Sequence, residues 1–178
     1  MKIQEELIKE YNGETFVVTK IDGVSKMTFT SGDWIENKEY YGRILLGDCD
    51  NCGSTSKLYE NFYFDKVLIV GLGMGLLPNY AKEVKNCNVV DVIEKNNELI
   101  EYVDYLDSSI KITQADAFDY VPDKKYDLIL IDIWWGHEDI TEEIISKLHD
   151  NYKIYLENNV ILPTNLQLTS SLLEGLHE

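Results

Sequence analysis

The sequence predicts an α/β fold: a doubly wound parallel sheet, preceded by a small N-terminal β-hairpin segment. Three observations predict it. Val67, Leu68, Ile69 and Val70 form a short apolar run of the kind that is buried on both faces in a parallel sheet. Gly71, Gly73 and Gly75 follow at once, and a helical apolar pattern starts at Leu76. From there to Leu162, apolar strand-like runs alternate with amphipathic helical ones, the pattern of helices crossing over a parallel sheet.

Residues 1–62 form the N-terminal segment in this reading. Ile3, Leu7, Ile8 and Tyr11 share one helical face and predict a short amphipathic helix, ended by Asn12 and Gly13. Residues 15–21 and 24–30 are β-rich runs, and Asp22-Gly23 between them is a strong two-residue hairpin signal. A second turn at residues 31–33 is expected to lead into a third strand beginning at Trp34 and Ile35, and residues 47–56 read as a loop.

Residues 63–178 form the doubly wound part. Leu76, Leu77, Tyr80, Ala81 and Val84 make the face of the first helix, with Pro78 in its first turn, where a missing N–H costs little. Residues 89–94 predict a second buried strand, and Leu99, Ile100, Val103 and Leu106 the next helix. Residues 110–113 give a short third strand and residues 126–133 a strongly apolar fourth. Ile140, Ile144, Ile145, Leu148 and Tyr152 mark a long helix expected to run on to about Glu157. Residues 160–162 supply a fifth strand, stopped by Pro163, and residues 166–178 suit one short helix.

Composition narrows the function classes. A hydrophobic content of 44% and a charged content of 27% over 178 residues suit a soluble globular chain with a real core. No apolar run approaches the ~20 residues of a membrane span, and the N-terminus does not read as a signal peptide. With only Cys49, Cys52 and Cys87 there is no disulfide framework, so a cytoplasmic setting is expected. Cys49 and Cys52 have the spacing of half a zinc site, but no partner His pair exists and no metal is expected. Sixteen basic against 32 acidic residues leave a formal charge of −16, which disfavours nucleic acid and favours a small-molecule partner, cationic if charged.

The candidate chemistry sits at the ends of the predicted strands. Strand, glycine turn and helix together present backbone N–H groups and a helix N-terminus to a nucleotide-like ligand. Glu94 closes the second strand, where an acidic side chain accepts hydrogen bonds from the hydroxyls of a ribose; NAD and adenosyl cofactors both suit that geometry. Asp116, Ala117 and Phe118 follow the third strand: a carboxylate that can accept from an adenine amino group, flanked by a small and an apolar residue, or else a plain N-cap. Asp132 ends the fourth strand, with Trp134, Trp135 and His137 just beyond it. In a sheet of order 3-2-1-4-5, strands one and four flank the point where the order reverses, so these four residues would stand beside the ligand's reactive end.

Residues 67–75, 92–94, 114–118 and 126–132, in that order and spacing, resemble the class I S-adenosylmethionine-dependent methyltransferases, and within them the spermidine synthase-like branch. The resemblance covers about residues 65–163 and implies a Rossmann-like sheet of order 3-2-1-4-5. By that resemblance Gly71, Gly73 and Gly75 approach the amino-acid part of S-adenosylmethionine or its decarboxylated form. Glu94 holds the ribose, Asp116 and Ala117 the adenine, and Asp132 faces the transferred group and its acceptor. Trp134, Trp135 and His137 would shape the acceptor pocket.

Two departures accompany the likeness. Met74 and the Trp134-Trp135 pair stand where aminopropyltransferases carry an Asp and an Asp-Pro, which turns the expectation from polyamine synthesis to methyl transfer onto a small molecule. The chain is also short after its fifth strand, where such sheets usually add two more, so that strand is expected to be covered by a homodimer partner or by the N-terminal segment. Aminopropyl transfer to a polyamine, a non-catalytic adenosyl-binding or dimerisation protein, and an NAD enzyme are the other readings the residues leave open.

Overall fold

Residues 67–70 are apolar at every position because the strand they form is covered on both faces. The structure, a computed structural model, describes residues 8–21, 24–29, 39–41, 64–83, 86–133, 141–157 and 161–163. They form two sheets. In the first, β1 (Tyr11–Asn12), β2 (Phe16–Ile21), β3 (Val24–Phe29) and β4 (Glu39–Tyr41) pair antiparallel in sequence order. The hairpin register sets Ile21 opposite Val24 and Phe16 opposite Phe29, as a two-residue connection requires.

The second sheet is parallel and five-stranded. It contains β5 (Lys66–Val70), β6 (Val89–Glu94), β7 (Lys111–Gln114), β8 (Leu128–Ile131) and β9 (Ile161–Pro163), in the order β7-β6-β5-β8-β9. The order reverses between β5 and β8, whose carboxyl ends therefore open on the crevice where such sheets take ligands. Among the described residues three helices cross over: α1 (Leu76–Glu83), α2 (Asn97–Tyr102) and α3 (Glu142–Tyr152).

Side chains alternate between two cores, as the pleat dictates. Val67 and Ile69 of β5, with Leu128 and Leu130 of β8, face one apolar cluster; Leu68, Val70, Ile129 and Ile131 face the other. The first cluster also takes Leu76, Leu77 and Ala81 of α1 and Leu99 of α2, and it includes Phe16, Val18, Met27 and Phe29 of the N-terminal sheet. The second is closed by Leu148 and Tyr152 of α3. The N-terminal sheet thus packs into the same apolar cluster as one face of the parallel sheet.

Glu98, in the first turn of α2, ties the two sheets together. Its carboxylate accepts from the Glu14 N–H at 2.7 Å, the Thr15 N–H at 2.8 Å, the Thr15 hydroxyl at 2.5 Å and the Tyr11 hydroxyl at 3.0 Å. Burial alone would raise this carboxyl; the donors from Thr15, Glu14 and Tyr11 outweigh it and hold it below the ordinary range. The Tyr102 hydroxyl adds a 2.7 Å bond to the Lys9 carbonyl, and its ring packs 5.0 Å from Tyr11 and 5.4 Å from Phe16.

Several boundaries differ from the sequence reading. Tyr11 lies in β1, opposite Val18, rather than at the end of a helix, because its ring is taken up by Phe16 and Tyr102; the rest of that helix, residues 1–7, lies outside the described residues. Residues 8–10 hold no helix, and Ile8 is buried. The fourth strand of the parallel sheet is shorter than residues 126–133. Tyr126 makes only an isolated bridge to Leu156. The long helix stops at Tyr152 and tightens into a 3₁₀ turn at Lys153–Tyr155, because the Tyr155 carbonyl accepts from the Tyr126 N–H at 2.8 Å and draws the chain to the sheet. Pro163 is the last residue of β9, not the residue after it. The hairpin turn at residues 22–23, the segment at residues 30–38, residues 47–56 with Cys49 and Cys52, and the terminal helix at residues 166–178 lie outside the described residues.

Candidate active site

The loop between β5 and α1 is shaped by three glycines of positive φ: Gly71 at 105°, Gly73 at 52° and Gly75 at 71°. Two are demanded by the fold itself. A Cβ on Gly71 would overlap the main-chain carbonyl of Asp132, since the ends of β5 and β8 meet there. A Cβ on Gly75 would stand 2.7 Å from a Val103 methyl. Gly73 is half-buried, whereas Leu72 and Met74 turn into the core. The Met74 side chain is only 1% exposed and packs in the core cluster.

Glu94 stands across this loop. One carboxylate oxygen accepts from the Leu72 N–H at 3.0 Å and the other from the Asn96 N–H at 2.8 Å. Burial raises its pKa above the ordinary 4.5, opposed by the amides of Asn96, Leu72 and Lys95. A carboxylate has about four acceptor sites, so beyond these amides it retains capacity for a ligand hydroxyl. The carboxylate therefore does two things: it closes the glycine loop from behind and leaves acceptors at the carboxyl end of β6.

Asp116 heads the turn after β7. Its side chain accepts from the Phe118 N–H at 2.9 Å and pairs with Lys95 at 2.9 Å. The Phe118 amide first, and then Lys95, hold its carboxyl below the usual range, so it is an anion at neutral pH. It thus caps a short turn and also stands beside the residue that follows Glu94. Ala117 is buried, and its carbonyl accepts from the Tyr152 hydroxyl at 2.7 Å; the Phe118 carbonyl accepts from the Asn151 side chain at 3.1 Å. The end of α3 therefore holds this turn by two adjacent carbonyls. Tyr152→Phe is expected to lower stability by about 1–2 kcal/mol, the cost of leaving a buried carbonyl short of its donor, read as the urea midpoint. An unchanged midpoint would show that the bond does not hold the turn.

Asp132 follows β8, its N–H donating to the Val70 carbonyl at 2.7 Å, and is half-buried. The structure thus brings Gly71, Gly73, Gly75, Glu94, Asp116, Ala117 and Asp132 to the carboxyl edge of the parallel sheet. Trp134, Trp135 and His137 lie outside the described residues. Among the described residues, no group of three or more His, Cys, Asp or Glu could hold a metal ion, and no helix is long and apolar enough to cross a membrane. Cys87 is buried, its thiol 3.1 Å from the Phe64 carbonyl.

Lys95 and Asn96 have no role in the sequence reading, and Tyr152 stands there only as part of a helix face. Asn96 was legible: Asn just before a helical pattern is a favoured N-cap, and its side chain does accept from the Leu99 N–H at 3.2 Å. Tyr152 carried no local signal, since its partner carbonyl is 35 residues away.

No family model matches the chain, and no curated protein does. Solved structures similar to it include several methyltransferases. One is an S-adenosylmethionine-dependent methyltransferase from Clostridium acetobutylicum, with 15% identity over 60% of this chain and 44% of that one, at a TM-score of 0.48. Another is an amino pentose methyltransferase from Micromonospora echinaspora, with S-adenosylmethionine bound (14% identity, 56% and 42% coverage, TM-score 0.47). A third is the plantazolicin methyltransferase BpumL, in complex with a pentazolic desmethylPZN analogue and S-adenosylhomocysteine (23% identity, 66% and 46% coverage, TM-score 0.48). The chain spans less than half the length of each. At this level of likeness, what the site can do has to be read from its own residues.

Proposed function

We propose that this chain binds S-adenosylmethionine at the carboxyl ends of β5, β6, β7 and β8 and transfers its methyl group to a small molecule. One observation carries the reading: the buried Glu94 carboxylate is fixed against the glycine loop by the Leu72 and Asn96 amides, with acceptor capacity left over. That is a preset acceptor pair for the two hydroxyls of a ribose, beside a loop whose half-buried Gly73 lets a ligand approach the backbone.

The remaining roles follow from position. The Asp116 carboxylate accepts from the adenine amino group, and for that it must share or release Lys95. The Gly71–Gly75 loop takes the amino-acid portion. When bound, the sulfonium supplies an already activated methyl group, so the protein has mostly to align it with the acceptor. Asp132, at the switch between β5 and β8, accepts the proton of a protonated amine acceptor or fixes its charge. The formal charge of −16 favours a cationic acceptor over an anionic one, and Trp134, Trp135 and His137 are proposed to line its pocket. Burial of Met74 in the core weighs against aminopropyl transfer, since the side chain at that position is an apolar packing group and offers no carboxylate to an amine.

Calorimetry with S-adenosylmethionine, its decarboxylated form, methylthioadenosine and NAD tests the reading. S-adenosylmethionine is expected to bind, and NAD not. Tighter binding of the decarboxylated form would replace methyl by aminopropyl transfer, and no binding by any adenosyl-sulfur compound would overturn the proposal.

A further inference from the structure

We infer that the N-terminal sheet is a working part of the cofactor site, with Thr15 and Asn96 as positioning residues that set the Glu94 carboxylate; this rests on the proposed adenosyl site. The observation is a continuous chain of hydrogen bonds. The Thr15 hydroxyl, at the start of the hairpin, donates to Glu98 at 2.5 Å and accepts from the Asn96 side-chain amide at 2.9 Å. Asn96 accepts from the Leu99 N–H with its side-chain oxygen, which caps α2, and donates its own N–H to Glu94 at 2.8 Å. Glu94 in turn accepts from the Leu72 N–H inside the glycine loop at 3.0 Å.

Each link has one sense. The Thr15 hydroxyl has a single proton, given to the Glu98 carboxylate, so it can only accept from Asn96. That requires the Asn96 carboxamide to aim its NH₂ group at Thr15 and its oxygen at Leu99. An asparagine held at both ends keeps its backbone N–H fixed, and that N–H is one of the two groups that aim the Glu94 carboxylate. Glu98 does not depend on the Thr15 hydroxyl alone, because it also receives the Glu14 and Thr15 amides and the Tyr11 hydroxyl. Losing the hydroxyl therefore loosens Asn96 and Glu94 while the sheets stay docked.

The test is a double-mutant cycle read as affinity for S-adenosylhomocysteine by calorimetry. Thr15→Val, which keeps the shape and removes the hydroxyl, is expected to weaken binding about fivefold to tenfold. Thr15→Ser should stay within about twofold of the wild type. Asn96→Ser keeps an N-cap acceptor but loses the NH₂ group, and should weaken binding as Thr15→Val does. In a Glu94→Gln background, Thr15→Val should cost no further affinity. A role confined to folding would lower the urea midpoint and leave the affinity of the folded protein unchanged. That result, or full additivity with Glu94→Gln, would overturn the inference while the functional reading stands. If Thr15→Val fails to fold, Asn96→Ser decides by the same two outcomes. A wild-type protein that binds no adenosyl ligand overturns the functional reading and this inference with it.

Discussion

Glu94→Ala is expected to weaken binding of S-adenosylhomocysteine by a hundredfold or more. Hydrogen bonds to a charged group contribute about 1.5–3 kcal/mol each, and a ribose would make two with this carboxylate. Every 1.4 kcal/mol is about tenfold in affinity, so two such bonds amount to two to four powers of ten. The substitution also removes the acceptor for the Leu72 and Asn96 amides, which frees the glycine loop and adds to the loss. The carboxylate must be ionised to accept both hydroxyls, and burial raises its pKa above 4.5. Affinity should therefore fall as pH is lowered through a range that begins above the ordinary glutamate value. For stability the sign is opposite: a raised carboxyl binds its proton more readily when folded, so its contribution weakens as pH rises through the folded pKa. Calorimetric titrations of the wild type and Glu94→Ala across that range check the affinity, and urea midpoints over the same range check the stability. An unchanged affinity in the variant would show that the ribose lies elsewhere.

Gly71→Ala should be the most destabilising single methyl addition at the site, by about 3 kcal/mol or more. Positive φ alone costs an L residue about 1–2 kcal/mol. The added Cβ would also overlap the Asp132 carbonyl, which is backbone at the junction of two central strands and cannot swing aside. For a domain whose whole stability is about 5–15 kcal/mol, that is a large share. Gly73→Ala is the control: its φ of 52° lies in the left-handed well, so about 1–2 kcal/mol is expected. Urea unfolding of the two variants should separate them clearly. Equal and small losses would show that β5 and β8 do not meet as closely as the structure places them.

The glycine loop shows what was legible and what was not. Alternate glycines between a β-branched run and a helical pattern announced the turn, because no other residue makes it cheaply. That two of them serve the fold, and only Gly73 is left half-buried, depended on where Asp132, Val103 and Leu106 arrive from other elements. Met74 reads as a loop residue in the sequence, but the structure buries it in the core, which makes it a packing residue. Tyr11 shows the reverse error: its spacing from Ile3 and Leu7 suits a helix, yet the aromatic contacts with Phe16 and Tyr102 and pairing with Val18 place it in a strand. Periodicity is a local statistic, and tertiary packing outweighs it in a short segment.

The linear chain by itself determined the alternation of strands and helices, the buried parallel strands, the glycine turn, and acidic residues at the strand ends. Each of these follows from the chemistry of neighbouring residues. Only the tertiary structure decided that Glu94 is preset by the Leu72 and Asn96 amides, that Asp116 is already paired with Lys95, and that the N-terminal sheet is clamped to α2 through Glu98. Apart from the Asn96 amide on Glu94, those contacts join residues distant in the chain, as with Thr15 and Glu98, 83 positions from each other. Their geometry depends on how independent elements pack, which no local pattern of residue types encodes.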